Sequence, residues 1–181
     1  MRHLCTLLLL LFSSIVCAAP DTSPQPDIDM RRYAGRWYEQ ARYENWFEKG
    51  MDEVYTDYML RKDGSLTVKN AGRKAGGNFK QSEGRAFPVA PGELSVSFVW
   101  PYWWFRAPYK ILYTDSDYSS ALVAGQDGKY LWMLTRDKFP DAGVMNRLHR
   151  EAQQRGFDTG RLRYTKHQKR KSTAPDTKSP G

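Results

Sequence analysis

The sequence predicts an all-β fold, an eight-stranded antiparallel up-and-down β-barrel with one C-terminal α-helix packed on its outside. Two observations carry this prediction: eight short strand-like runs separated by turn signals, and a single amphipathic stretch late in the chain. Such a meander closes into a barrel because closure removes the exposed edges of the sheet. The chain has 181 residues, which is enough for one domain with a sizeable core.

The eight runs follow one another closely, with turn chemistry between them. Asp63-Gly64 and Asp127-Gly128 are the strongest hairpin signals, because glycine supplies the positive φ that tight turns require. The runs cover residues 35–43, 54–61, 65–73, 79–87, 93–100, 109–114, 118–124 and 130–136, and a short further strand is expected at 161–165. This even spacing is typical of a barrel rather than of alternating strands and helices.

One helix is expected near the C-terminal end. Pro140 and Asp141 favour a helix start, and Gly156 favours its end. The stretch between them carries a narrow apolar stripe, formed by Val144, Met145, Leu148 and Ala152. A stripe of this width needs only one surface to cover it, so it predicts a helix packed on the barrel rather than one that binds a partner.

The sequence divides the chain into four predicted parts. Residues 1–18 have the basic head, apolar run and small residues of a secretory signal peptide, and 19–27 are a Pro-rich linker. The barrel domain is expected at 28–165, with the helix at about 140–156, and 166–181 as a disordered basic tail. Both cysteines, Cys5 and Cys17, lie in the leader, so the domain is predicted to lack a disulfide.

The leader predicts export to the periplasm or cell envelope, with two alternatives for its end. Cleavage before Ala19 would release a soluble protein, whereas lipidation of Cys17 would anchor it to the outer membrane. Val16 precedes this cysteine, where bacterial lipoprotein signals normally carry a small residue.

Three local motifs resemble those of the lipocalin family. They are Gly35-x-Trp37 at the start of the first strand, Thr114-Asp115 in the turn after the sixth, and Arg136 at the end of the eighth. The resemblance implies that they meet at the closed end of a calyx-shaped barrel. There the guanidinium would lie across the indole in a cation–π contact of about 0.5–2 kcal/mol.

The resemblance can be narrowed to one branch of the family. Residues 32–39, 47–50, 81–84 and 130–136 look like the bacterial lipocalins of the outer-membrane lipoprotein type and apolipoprotein D. The similarity runs from about residue 28 to 164. Ser116 is a departure, since many lipocalins carry tyrosine there.

Strand alternation predicts which residues face the cavity, because successive side chains point to opposite faces. The lining is mostly apolar, with a few hydroxyls and one acid, which suits a fatty acid or a lysophospholipid. The predicted ligand-binding residues are Glu39, Ala41, Thr56, Tyr58, Val68, Asn70, Ser82, Val96, Phe98, Tyr109, Ile111, Leu122 and Trp132. A barrel filled by its own side chains remains the alternative, and it would act as a scaffold for a membrane or protein partner.

Aromatic residues concentrate in two loops expected at the open end of the barrel. Rings beside Arg106 and Lys110 are the combination that an interfacial membrane contact uses. The predicted rim consists of Trp46, Phe47, Trp100, Trp103, Trp104 and Phe105. A peripheral membrane contact and a lid packed over the cavity are the two alternatives for this rim.

The sequence predicts a binding protein rather than an enzyme. Its three histidines fall in the leader, the helix and the tail, so they form neither a metal site nor a Ser/His pair. No cofactor is expected, and Glu39 has no visible acidic partner for acid–base catalysis. Nucleic-acid binding through the basic tail is a weaker alternative that export argues against. The oligomeric state stays open, with a homodimer among the alternatives.

Overall fold

The computed structural model describes residues 18–74, 76–98 and 106–169. Within these ranges the chain forms nine strands and two α-helices. The strands are β1 Gly35–Tyr43, β2 Met51–Leu60, β3 Leu66–Lys74, β4 Phe79–Ala90, β5 Glu93–Ser97, β6 Ala107–Thr114, β7 Ser120–Ala124, β8 Leu131–Thr135 and β9 Leu162–Tyr164. The helices are α1 Met30–Tyr33 and α2 Ala142–Gln154.

The strands form one antiparallel sheet that closes on itself. Neighbours in the sheet follow the order β2-β3-β4-β5-β6-β7-β8-β1-β9, and a further β1–β2 pairing closes the barrel. The predicted eight-stranded up-and-down barrel is therefore confirmed, with β9 as an additional strand on β1. The predicted Asp63-Gly64 hairpin joins β2 to β3, where Leu60 pairs with Leu66 and Gly64 has a φ of +80°.

Two apolar clusters lie on opposite sides of the barrel wall. The inner cluster takes buried side chains from all eight barrel strands and from α1. Its members are Tyr33, Trp37, Tyr58, Leu66, Val68, Ala86, Leu94, Ile111, Tyr118, Ala121, Val123 and Leu134. The outer cluster joins the wall to α2 through Leu148 and Ala152, which are both fully buried. The helix thus packs on the outside of the barrel, as its narrow stripe predicts.

Two residues predicted to face the cavity lie in the outer cluster instead. Ala41 and Leu122 pack with Met133 and the helix. In β1 the pairing with β8 shifts between Glu39 and Ala41, and in the pairing of β6 with β7 it shifts after Ile111. Each shift inserts one extra residue, and one residue reverses the face of everything beyond it. The extra residue in β1 is the reason that the prediction for Ala41 is wrong. β7 itself carries no extra residue, and its inward residues are Ala121 and Val123, so the prediction for Leu122 assigned the wrong alternate residues of β7 to the inner face.

The wall between β1 and β2 is completed by the segment that follows β9. β1 pairs with β2 only from Gly35 to Tyr38, and its later residues pair with β9. Beyond β9, the Glu53 amide donates to the Lys166 carbonyl at 2.9 Å, and the Gln168 amide donates to the Glu53 carboxylate. Residues 166–169, which the sequence assigns to a disordered tail, therefore lie against the barrel.

Several predicted features fall outside the residues that the structure describes. They are the signal peptide, Cys17, the tail from residue 170, and the rim residues Trp100, Trp103, Trp104 and Phe105. Across the described ranges, no helix is long and apolar enough to span a bilayer.

Candidate ligand-binding site

The closed end of the barrel is built around Trp37 and Arg136. The guanidinium carbon lies 3.9 Å from the indole ring centre. Its N–H groups donate to the backbone carbonyls of Arg32, Ala34 and Arg36 at 2.7–2.8 Å. The arrangement that the family resemblance implies is therefore present, and it ties the segment before β1 to the end of β8.

Asp115 holds the neighbouring turn at the same end, and Thr114 before it binds the side chain of Gln25. The carboxylate of Asp115 accepts four hydrogen bonds from the amides and hydroxyls of Ser119 and Ser120. Burial acts to raise the pKa of Asp115, but these bonds outweigh it and hold the pKa below its usual value. The Arg136 amide then donates to the Ser119 carbonyl at 2.8 Å, which joins this turn to the closing arginine.

Three tyrosines form a layer above Trp37. The hydroxyl of Tyr109 lies 2.6 Å from that of Tyr33 and 2.8 Å from that of Tyr58. Burial raises the pKa of all three phenols. We call this group the tyrosine layer; it fills the lower part of the barrel with rings whose polar ends satisfy one another.

A polar group lies above the tyrosine layer, centred on Glu48. One oxygen of its carboxylate accepts from Asn70 Nδ2 at 3.0 Å. The other accepts from Trp132 Nε1 at 3.0 Å and from Asn45 Nδ2 at 2.7 Å. Asn70 is on β3 and Trp132 is on β8, with β1 and β2 between them in the sheet. Glu48 therefore lies inside the barrel, although it belongs to the loop between β1 and β2.

Arg42 and Glu39 form a buried ion pair beside Glu48. Arg42 is fully buried, and its guanidinium is 2.5 Å from the Glu39 carboxylate. It also donates to the backbone carbonyl of Glu48 at 2.7 Å, and the Thr165 hydroxyl donates to Glu39. Burial, with the negative charge of Glu48 next in importance, raises the pKa of Glu39 to about 7.

The structure places the other predicted lining residues on the inner face of the barrel. Tyr58, Val68 and Ile111 belong to the inner cluster, and Val96, Tyr109 and Trp132 pack against it. Thr56 pairs with Trp37 and Asn70, which puts both polar residues on the same face. Glu39 also faces inward, but its carboxylate is taken up by Arg42 and Thr165.

Ser82 and Phe98 mark where the inner face opens to solvent. Ser82 pairs with Asn70 on the inner face and is nevertheless exposed. The ring of Phe98 lies over Gly84, which pairs with Val68 of the inner cluster, and 44% of Phe98 is exposed. Both lie toward the end of the barrel where β1 and β2 are joined, which is the open end.

The loop between β1 and β2 reaches over this open end. Phe47 packs against Tyr130 and Trp132, with ring centres 5.9 and 6.5 Å apart. Trp46 packs edge-on against Phe47 and is 82% exposed. Two residues of the predicted rim are described by the structure. The ring of Phe47 lies partly over the barrel, and that of Trp46 lies in solvent.

Sequence reasoning missed Tyr33, Arg42 and Glu48. One signal for Glu48 exists: Asn45 lies three residues before it, the spacing of a helix-capping pair. The Asn45 side chain indeed accepts from the Glu48 amide at 2.8 Å and donates to its carboxylate. This reciprocal pair turns a loop residue toward the interior.

A barrel with an aromatic floor, inward polar groups and an open end defines a class of protein that binds small apolar molecules. The chain matches the family model of the lipocalin-like domain over residues 28–167, and it belongs to the lipocalin family. That membership supports binding of a small hydrophobic ligand in the barrel.

Individual relatives agree with this assignment. The chain is 37% identical over 150 residues to the outer membrane lipoprotein Blc of Vibrio cholerae serotype O1, covering 80% of this chain and 86% of that one. It is 34% identical over 131 residues to apolipoprotein D of Macaca fascicularis, covering 67% of each. The solved structure of apocrustacyanin C1 has the same fold, with a TM-score of 0.67 at 20% identity, covering 84% of this chain and 92% of that one.

Proposed function

We propose that this chain binds one lipid molecule, a fatty acid or a lysophospholipid, inside its barrel and carries or stores it without catalysing a reaction. The observation that carries the proposal is the open inner face. Ser82 and Phe98 are exposed although they lie on the same face as the buried Val68 and the half-buried Val96. A lipid entering between them would meet the apolar and aromatic side chains of Val96 and Trp132, beside the polar group centred on Glu48.

The cell envelope is the proposed location. The Vibrio cholerae relative is an outer membrane lipoprotein by name. The predicted leader of this chain has the layout of an export signal, with Cys17 as the candidate for lipidation. A carrier at this place would exchange its ligand with a membrane.

The absence of catalysis is proposed because the interior acids serve structural contacts. Glu48 accepts three hydrogen bonds from side chains, and Glu39 is held by Arg42 and Thr165. Acid–base catalysis needs a group whose proton can move to a substrate. Glu39 is buried behind Arg42 and Thr165, and the side-chain donors to Glu48 are two amides and an indole, which do not release protons.

The first test is a lipid titration of the purified, lipid-stripped protein followed by tryptophan fluorescence. Trp132 lies on the inner face, so filling of the barrel should change its emission. Saturable one-to-one quenching by a long-chain fatty acid or a lysophospholipid at micromolar concentration is expected. The tighter of the two would identify the ligand class.

A pair of variants in β5 locates the ligand. Val96→Trp places a large ring on the inner face and should abolish binding, whereas Ser95→Trp makes the same change on the opposite face and should leave it intact. Ser95 and Val96 are neighbours in one strand, so both variants share the same local cost. Equal binding by both variants would contradict an internal site.

A filled barrel that acts as an interaction scaffold is the second candidate. The tyrosine layer favours it, because three mutually bonded rings leave the lower barrel to the protein itself. The same titration separates the two candidates. No saturable response to either lipid would support the scaffold.

We further propose that the open end docks on a bilayer. Trp46 and Phe79 lie at this end and are 82% and 50% exposed, and Arg73 lies 5.7 Å from the Phe79 ring. Exposed rings beside basic side chains suit the membrane interface. Docking would let a lipid enter the barrel without crossing water.

Liposome binding and lipid transfer test the docking. Trp46→Ser with Phe79→Ser should weaken both, and so should Trp103→Ser with Trp104→Ser in the predicted rim. Met59→Ser with Leu60→Ser is the matched control, because these residues are each 41% exposed at the closed end. Unchanged transfer in both rim variants would refute docking through this end.

A further inference from the structure

The interior of the barrel carries an unbalanced set of charges. Among the residues that the structure describes, the buried charged side chains are Glu39, Arg42 and Glu48. Above pH 7, where Glu39 is ionised, two carboxylates therefore face one guanidinium. Glu44 lies 3.8 Å from Arg42 as well, but it is partly exposed, as are Asp52 and Arg163. Arg163 pairs with both acids at 2.9–3.4 Å, where water screens them.

Arg42 keeps only one N–H group, on Nε, that no protein acceptor takes. One terminal nitrogen donates to Glu39 and Thr165, and the other donates to the carbonyls of Glu48 and Met51. Its Nε makes no hydrogen bond and faces Glu48 Oε2 at 3.9 Å. A carboxylate entering the barrel would thus have only this single N–H of Arg42 to bind, next to the negative charge of Glu48.

Glu48, in contrast, keeps acceptor capacity. An ionised carboxylate offers about four acceptor sites, and Asn45, Asn70 and Trp132 occupy three of them. The remaining site lies among inward-facing side chains from β3 and β8, above the tyrosine layer.

On the basis of the proposed carrier function, we propose that the lumen selects lipids whose polar end donates hydrogen bonds, an ammonium or a hydroxyl group, and discriminates against an ionised carboxylate. Glu48 is the residue that determines this specificity. An ammonium would neutralise the excess negative charge and an alcohol would fill the free acceptor site of Glu48. A third buried carboxylate would be repelled in a low-dielectric environment. Of the two proposed ligand classes, the free fatty acid is the disfavoured one.

The test compares three probes that share a chain length: dodecylamine, dodecanol and dodecanoate. Each displaces a neutral apolar fluorophore from the purified protein at pH 8, below its micelle concentration. The amine should displace the fluorophore at a concentration at least about tenfold lower than the carboxylate, the size of effect that one partly buried charge supplies. The alcohol should fall between them.

Two variants assign the preference to this part of the barrel. Glu48→Gln keeps the size and an acceptor oxygen but removes the charge, so the amine and the carboxylate should come within about threefold of each other. Ser82→Asp adds a carboxylate on the same face, at an exposed position where it stays ionised, and should widen the preference. Glu83→Gln is the control, since Glu83 is exposed beside Lys69 and should change nothing.

The outcomes separate this inference from the carrier function. If the fluorophore binds and dodecanoate displaces it as well as dodecylamine does, the selectivity is overturned and the carrier function stands. If neither the fluorophore nor any probe binds, the carrier function fails and the selectivity with it. If Glu48→Gln does not fold, as judged by its thermal transition, a folded Ser82→Asp with an unwidened preference would be enough to overturn the inference.

Discussion

The guanidinium of Arg136 lies 3.9 Å from the indole ring of Trp37. Its N–H groups donate to backbone carbonyls of the segment that precedes this tryptophan. One side chain therefore joins the end of β8 to the start of β1 and to the helix before it. Gly35 makes the close approach feasible, because a Cβ at this position would lie 3.0 Å from Arg136 Nη1. The closed end depends on this contact rather than on β-sheet pairing alone.

Arg136→Ala should therefore be strongly destabilising. It removes the cation–π contact and leaves several carbonyls without their charged donor, so a loss of about 3 kcal/mol or more in the free energy of unfolding is expected. Urea denaturation measures it. Arg150→Ala, on the exposed side of α2, should change the free energy by less than about 0.5 kcal/mol. A loss of similar size in both variants would disprove a special role for Arg136.

For the tyrosine layer, we expect three substitutions together to lower the stability less than one substitution alone. Tyr109→Phe removes the shared partner of Tyr33 and Tyr58 and leaves their hydroxyls buried, at an expected cost of about 2 kcal/mol. The triple variant with phenylalanine at all three positions removes every hydroxyl and should be more stable than Tyr109→Phe alone. Thermal unfolding of the two variants under one condition decides the order.

The raised pKa of Glu39 predicts that the stability of the protein falls as the pH rises from mildly acidic to neutral. Its pKa is raised to about 7 by burial and by Glu48. A carboxyl whose folded pKa exceeds its unfolded pKa favours the folded state while it is protonated, and this contribution is lost as pH rises through the folded pKa. The free energy of unfolding should therefore decrease between about pH 4.5 and 7, by up to about 3 kcal/mol from this group.

Glu39→Gln tests this assignment. The variant has no proton to lose, so its free energy of unfolding should change less with pH than that of the unsubstituted protein. Arg42, Glu48, Thr165 and His167 surround Glu39 and stay in place, so the difference between the two pH profiles isolates it. Glu83→Gln should keep the original profile. Parallel profiles for Glu39→Gln and the unsubstituted protein would rule out Glu39 as the source.

Gly84 is required by close packing near the open end. A Cβ on Gly84 would lie 2.4 Å from the Ser97 carbonyl oxygen and 2.6 Å from Phe98 Cδ1. Gly84→Ala must therefore displace the end of β5, at an expected cost of about 1–3 kcal/mol. Ser82→Ala, on the same face two residues away, should be near neutral. An unchanged urea midpoint for Gly84→Ala would show that the end of β5 can move without a loss of stability.

Local patterns were enough to predict the barrel, and they failed where a strand departs from regular alternation. Regular alternation along β1 from Trp37 assigns Glu39 correctly to the inner face. It assigns Ala41 to the wrong face, because the β-bulge between Glu39 and Ala41 has no signature in the local sequence. The helix and the hairpin at Asp63-Gly64 were predictable because each rests on residues adjacent in sequence.

The polar interior was harder to predict for a different reason. Glu48 reaches Asn70 and Trp132, which lie 22 and 84 residues further along the chain. Such contacts follow from the closure of the barrel, and no local pattern encodes them. The closeness of Glu48 to Glu39 was not visible in the sequence for the same reason, since a loop brings Glu48 to the same arginine.

The gap between β1 and β2 is filled by residues 163–168, and this arrangement bears on when folding can finish. During synthesis, β1 and β2 leave the ribosome more than a hundred residues before the segment that completes the wall between them. The nascent chain can form the β2–β3 hairpin and the following meander, but the seam stays open until residue 168 has emerged. Final closure, with burial of Arg42 and Glu39, is therefore a late event that follows translation of the whole domain.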